Sequence, residues 1–256
     1  MEMRADARAS GGRMLAFRIV GWLLGVLTIG FSIPFVVIAF ISDDPAQVIH
    51  RFHVVGGFAG FGLIGAFSIL FVLHPDRTAV WHVLVAQALA YLFGGLMAGD
   101  LISGFWITGV VGLVALGVLA PDRRSLLRLP GHPSVALLTY GLLCAIPAWI
   151  YAVTNAELQR GPASDPHVAM HHWSGVAVSA LAIAGAALAT SLRGEGWRVT
   201  SAVTAIAAVI FGVAGLVFAG DAGAPPGEGW SWLAVASGIG FWLLARVEAA
   251  REAPSG

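Results

Sequence analysis

The run AVTAIAAVIFGVAGLVFAG, residues 202–220, carries no charged side chain along its whole length. About 20 apolar residues in helical form cross a hydrocarbon core roughly 30 Å thick. In such a medium every backbone N–H and C=O needs a partner within the protein, which leaves only helices or closed barrels. A barrel strand would alternate apolar and polar residues at period two, and neither this run nor GVVGLVALGVLA, residues 109–120, does so. Comparable runs fall near 17–41, 48–73, 79–99, 101–120, 133–153, 168–191, 198–219 and 229–247. The expected fold is therefore an all-α integral membrane protein with eight transmembrane helices. Composition agrees: 58% of residues are apolar and 11% charged, against about 25% charged in soluble domains. The first run follows a basic N-terminus, as in a signal peptide, but it is too long and lacks a small-x-small cleavage site before SDDPAQ, so it reads as a retained helix.

The charges are sided. Arg4, Arg8, Arg13, Arg18, Arg77, Arg123, Arg124, Arg128, Arg193, Arg198, Arg246 and Arg251 occupy the termini and every second loop. The alternate loops hold Asp43, Asp44, Asp100, Glu157, Asp165, Asp221 and Glu228, with only Arg51 and Arg160 among them. Cytoplasmic loops carry the excess of Arg and Lys, so both termini are expected in the cytoplasm and the acidic loops outside, as in a bacterial inner membrane. All fourteen basic residues are arginine, which excludes a lysine Schiff base and with it an ordinary retinal protein. The arginines are spread over short loops and form no basic groove, so nucleic acid is not an expected partner. Cys144 is the single cysteine and rules out an intrachain disulfide or a cysteine cluster.

Residues 44–100 slide onto 165–221 without a gap to give twelve identities in fifty-seven positions. Asp44 meets Asp165, Pro45 meets Pro166, His50 meets His171, Arg77 meets Arg198, Gly94 meets Gly215, and Asp100 meets Asp221. Pro34 and Pro147 stand in the preceding runs. The expected organisation is a tail at 1–16, a four-helix repeat at 17–120, a basic linker at 121–131, a second four-helix repeat at 132–247 and a tail at 248–256. Four is even, so the two repeats are parallel, related by an axis along the membrane normal.

The residues with chemistry gather on the acidic side. DPHVAMHHWSG, Asp165–Gly175, answers DPAQVIHRFHV, Asp44–Val54. An aspartate followed by proline is a helix-start signal, so Asp44 and Asp165 read as caps. His50 and His53, three apart, and His167 and His171, four apart, each share a helix face and are the candidate metal ligands, for a divalent ion rather than any cofactor the sequence demands. HVAMH lacks the glutamate of the HExxH zinc motif. His50, His171, Asp100 and Asp221 are the candidate catalytic residues, a desolvated carboxyl being able to act as an acid on a lipid or isoprenoid. Bis-histidine haem ligation through His50 and His171, a pH-sensitive rim and a hydrogen-bonded seam between the repeats are the other readings. His74, His82 and His132 are expected at the opposite end. Gly56 with Gly60, and Gly95 with Gly99, are small-xxx-small pairs that permit close helix approach. Trp81, Trp106, Trp173, Trp197, Trp230 and Trp232 fall near helix ends, as an aromatic belt does.

The segment His171–Asp221, with Asp165, Pro166, His171, Arg193, Trp197 and Arg198, resembles the bacterial multi-pass membrane family of domain of unknown function 998; Asp44–Asp100 fits the pattern less fully, and together they cover about half the chain. That resemblance implies an integral membrane protein and transfers no catalytic residue. The HVAMH spacing is also distantly similar to the alkaline ceramidase and progestin-receptor superfamily, whose further signatures are absent here. The expected function is binding or movement of a small lipophilic molecule between the two repeats, without catalysis. The alternatives are a membrane enzyme acting on a lipid or isoprenoid from the outer face, and a scaffold subunit whose partner is another membrane protein or a second copy of the chain.

Overall fold

A computed structural model describes residues 2–100, 104–128 and 132–252, without the side chains of 2–10, 46, 104–108, 124 and 125. The start of the fourth run, the Trp106 side chain, residues 129–131 of the linker and the last residues of the C-terminal tail lie outside the described residues.

The described residues are helical throughout: α1 (Glu2–Ile41), α2 (Pro45–Val48), α3 (Arg51–Leu73), α4 (Thr78–Ala98), α5 (Gly104–Leu119), α6 (Arg123–Leu126), α7 (Val135–Gln159), α8 (Pro166–Ala169), α9 (His172–Thr190), α10 (Trp197–Val217) and α11 (Glu228–Arg251). Among them seven helices are long and apolar enough to cross a membrane, namely the segment Gly11–Ile41 of α1 together with α3, α4, α7, α9, α10 and α11. The expected fourth span is α5, whose described apolar stretch, Gly109–Leu119, is shorter than a full crossing.

Burial separates centre from periphery. The most apolar window of α1 is 11% buried and that of α11 17%, against 61% for α3 and for α9. From Ile19 onward the large side chains that α1 leaves exposed are apolar, among them Leu23, Leu27 and Phe40. In a soluble protein such a surface would be a liability; against lipid tails it is the expected one.

α3 packs on α1, α9 and α10, while α9 packs on α7, α3 and α4. Each half thus sends its third long helix onto the other half's second. α3 and α9 run side by side in the same sense: the His50 and His172 rings meet where the two helices begin, and one to two turns on they touch again. There Ser179 Oγ donates to the carbonyl oxygens of Gly57 and Gly175. A Cβ on Gly60 would lie 2.6 Å from Ser179 Cα, a contact of backbone with backbone that only glycine allows. Gly94 of α4 lies against the Val178 side chain, whose Cγ2 would be 2.6 Å from an added Cβ. Gly99, expected in a packing pair with Gly95, has a different job: at φ +68° it ends α4, and its N–H bonds to the carbonyls of Gly95 and Leu96.

Two polar ends follow. At one, Glu248 accepts from Ser134 Oγ at 2.7 Å and from Arg251 at 2.9 Å, Arg198 pairs with Glu252 at 3.1 Å, and Arg13 donates to the Pro121 carbonyl at 3.0 Å. The other end holds the histidines and aspartates.

Candidate functional site

Asp165 caps α8 as its sequence context demands, accepting the His167 backbone N–H at 2.9 Å. The same carboxylate takes His167 Nδ1 at 3.0 Å and the Trp173 indole N–H at 3.1 Å. Three hydrogen bonds hold it in the charged form: although burial pushes its pKa up, the bonds from the His167 amide, Trp173 and the His167 ring bring it below the ordinary carboxylate value. His167 thereby points into the bundle, with Nε2 3.2 Å from the Ile49 carbonyl oxygen.

Four imidazoles collect there. His50 at the start of α3, His53 one turn on, His167 of α8 and His172 at the start of α9 have ring centroids 4.5 to 6.4 Å apart in every pairing. His50 Nδ1 and His172 Nδ1 are 2.9 Å apart. His53 is 5% exposed and neither of its ring nitrogens has a hydrogen-bond partner, while the Trp173 ring stands edge-on to it at 4.8 Å. Gly223, at φ +78°, closes the far side: a Cβ there would lie 2.2 Å from His53 Cε1. Burial and the neighbouring His167 lower the pKa of His50, against a smaller opposing pull from Asp165.

His171 departs from the expected set. It occupies a left-handed backbone conformation, φ +58°, between α8 and α9, which turns its ring outward to Asp100, Nδ1 to Oδ2 2.9 Å. Ser174 Oγ donates to the same carboxylate at 2.6 Å. Asp221 takes Arg51 through two bonds, 3.1 and 3.0 Å, with the guanidinium 5.2 Å over the Phe218 ring. The four candidate catalytic residues therefore do not meet in one pocket: Asp100 of the first half holds His171 of the second, Asp221 of the second half holds Arg51 of the first, and His50 lies among other histidines. Of the expected metal ligands, His50, His53 and His167 come together, and His172 replaces His171 as the fourth ring. As the rings stand, no three His, Cys, Asp or Glu side chains among the described residues have a metal-holding arrangement.

Sequence reasoning passed over His172, Ser174 and Gln159 and placed Trp173 only in an aromatic belt. Gln159, at the end of α7, ties the α8 turn to α9 by donating to the Val168 carbonyl at 2.9 Å and accepting the Ser174 N–H at 3.1 Å. The available signal for His172 was its neighbour in the chain, a second histidine one helical step from His171.

Below this end, an apolar cleft of about 100 Å3 runs between α7, α9, α10 and α11. Small side chains shape it, Gly141, Ala148, Ala184 and Ala208 among them, with Pro147 and Phe211. Thr204, in its wall, has a buried hydroxyl without a partner. Tyr151 joins cleft to histidines: it lines the cleft and donates to the carbonyl of Gly223 at 2.5 Å, the residue that abuts His53. The cleft lies within the C-terminal four long helices rather than between the two halves. No family model, curated protein or solved structure matches the chain.

Proposed function

We propose that the protein is an eight-pass component of the cell membrane, built from two parallel four-helix repeats with both termini cytoplasmic, that binds a small lipophilic molecule in the cleft of its second repeat. The observation that carries the ligand is the cleft itself, lined by apolar side chains apart from Thr204, Ser237 and Tyr151; at about 100 Å3 it is smaller than the roughly 150 Å3 that takes a benzene-sized guest and fits a stretch of acyl chain. The repeat reading rests on the matching order of helices in the two halves and on the reciprocal packing of α3 on α10 and α4 on α9. An eighth pass, α5, is supported by the bond from Arg13 to Pro121, which brings the end of α5 level with the start of the α1 span. The arginine-rich end then faces the cytoplasm and the histidines face out.

Mass spectrometry of protein released from nanodiscs tests the ligand. One apolar molecule per chain is expected to survive delipidation and to disappear when Ala184→Leu fills the cleft; a chain that carries none, or carries it equally in the variant, would remove the reading.

A further inference from the structure

We propose that His50, His53, His167 and His172 form a binding site for a first-row transition-metal ion, Zn(II) in class, at the end of the bundle where α3, α8 and α9 begin. Four imidazoles around a tetrahedral ion at an M–N distance of about 2.0–2.1 Å have ring centres near 5 Å from one another. The six centroid separations here, 4.5, 4.6, 4.8, 5.2, 6.1 and 6.4 Å, bracket that value. Four rings contributed by three separate helices take up this spacing around one point, which packing of apolar side chains does not require.

Three further details point to a cation site. First, His53 is buried with both nitrogens unpartnered, whereas buried polar groups are ordinarily satisfied. Second, the two Nδ1 atoms of His50 and His172 face each other at 2.9 Å; a proton on one satisfies them, and an ion shared by the two lone pairs needs them to part to about 3.3 Å, the N–N separation of a tetrahedral site with M–N about 2.0–2.1 Å. Third, both partners of His167 are acceptors, the Asp165 carboxylate at Nδ1 and the Ile49 carbonyl at Nε2. A ring that donates from both nitrogens meets the two acceptors; a neutral ring that donates Nδ1–H to Asp165 instead turns its Nε2 lone pair toward a carbonyl oxygen, an unfavourable pairing. That lone pair is the one a metal would take, and a carboxylate on the other ring nitrogen is how metal-bound histidines are commonly oriented; Trp173 in turn fixes Asp165. Binding needs the rings to turn so that four lone pairs converge. His53 has no hydrogen bond to lose in turning.

The test is titration of the full chain, purified in detergent after chelator treatment, with Co(II) and then Zn(II). One Co(II) per chain is expected, with the intense visible absorption of a four-coordinate nitrogen site, bleached by one equivalent of Zn(II). His172→Ala, at a partly exposed position, is expected to weaken binding at least tenfold, as is His53→Ala, while His171→Ala leaves it unchanged. Absence of stoichiometric binding to the unaltered chain, six-coordinate weak absorption, or equal loss in His171→Ala and His172→Ala would overturn the proposal. Should His53→Ala fail to fold, the His172 and His171 pair decides alone.

Discussion

His50 and His172, 122 positions apart in the chain, bring their Nδ1 atoms to 2.9 Å across the junction of α3 and α9. In the absence of an ion one ring must donate and the other accept, so the contact fixes complementary tautomers in the two halves. Replacing His172 by alanine removes the partner of His50, a residue only 6% exposed. The expected cost is about 1–3 kcal/mol, that of leaving a buried polar group unmade, read as a lowered midpoint in thermal unfolding of the metal-free protein. His172→Asn, which can still hydrogen-bond, should recover part of it.

Acid weakens the fold through the same cluster. His50 faces His53 on its own helix, His167 and Asp165 from α8, and His172 from α9, with Arg51 beside it. Its pKa in the folded chain is lowered by burial and by His167. Unfolded, it binds a proton near its ordinary value of about 6.5. Between the folded and unfolded values the unfolded state therefore holds more protons, and stability is lost as pH falls below about 6.5. His50→Gln should flatten that part of the profile in chemical-denaturation curves taken from pH 7 to pH 5. A slope unchanged by the substitution would assign the effect to other groups.

The left-handed conformation of His171 sets up a comparison of two substitutions. His171→Ala removes the imidazole from Asp100, which keeps the Ser174 hydroxyl, and retains the strained backbone; His171→Gly removes the imidazole and relieves the strain. Non-glycine residues held in sparsely populated backbone regions cost about 1–3 kcal/mol, so the glycine variant should be the more stable of the two by roughly 1 kcal/mol. Thermal melts of the two variants measured side by side check the sign.

The crossing of α3 and α9 gives a contrast on a single helix. A methyl on Gly60 would collide with the Ser179 backbone, whereas one on Gly57 meets nothing within 4 Å. Gly60→Ala is expected to destabilise by about 1–3 kcal/mol, as overpacking does. Gly57→Ala should be neutral or stabilise by up to about 1 kcal/mol from helix propensity. Retained unfolding midpoints in both variants would mean that α3 and α9 do not pack at this point.

Membrane class was legible in the long uncharged runs because apolar length is a one-dimensional property. The cap at Asp165 was legible for the same reason, since it depends on residues two positions away. The fate of Asp100 and Asp221 was not. Matching positions in the two halves suggested that His50 and His171 act alike, yet the left-handed turn at His171 swings its ring to Asp100 while His50 points inward. The same matching argument hid His172, whose counterpart is Arg51: one entered the histidine cluster and the other paired with Asp221. Equivalence along the chain fixes depth in the bundle, but the direction of a side chain depends on a backbone angle that the alignment of two segments does not contain. The cleft escaped notice because it is made by what small residues on four helices leave empty.

The central claim is that the cleft between α7, α9, α10 and α11 holds a lipophilic molecule, and equilibrium binding of a photoreactive acyl-chain probe to nanodisc-embedded protein measures it most directly. The account predicts saturable labelling at one site, mapped to peptides of α7, α9, α10 or α11, reduced at least tenfold by Ala184→Leu and unaffected by Leu143→Ala on the exposed face of α7. Labelling that does not saturate, or that falls equally in both variants, would contradict it.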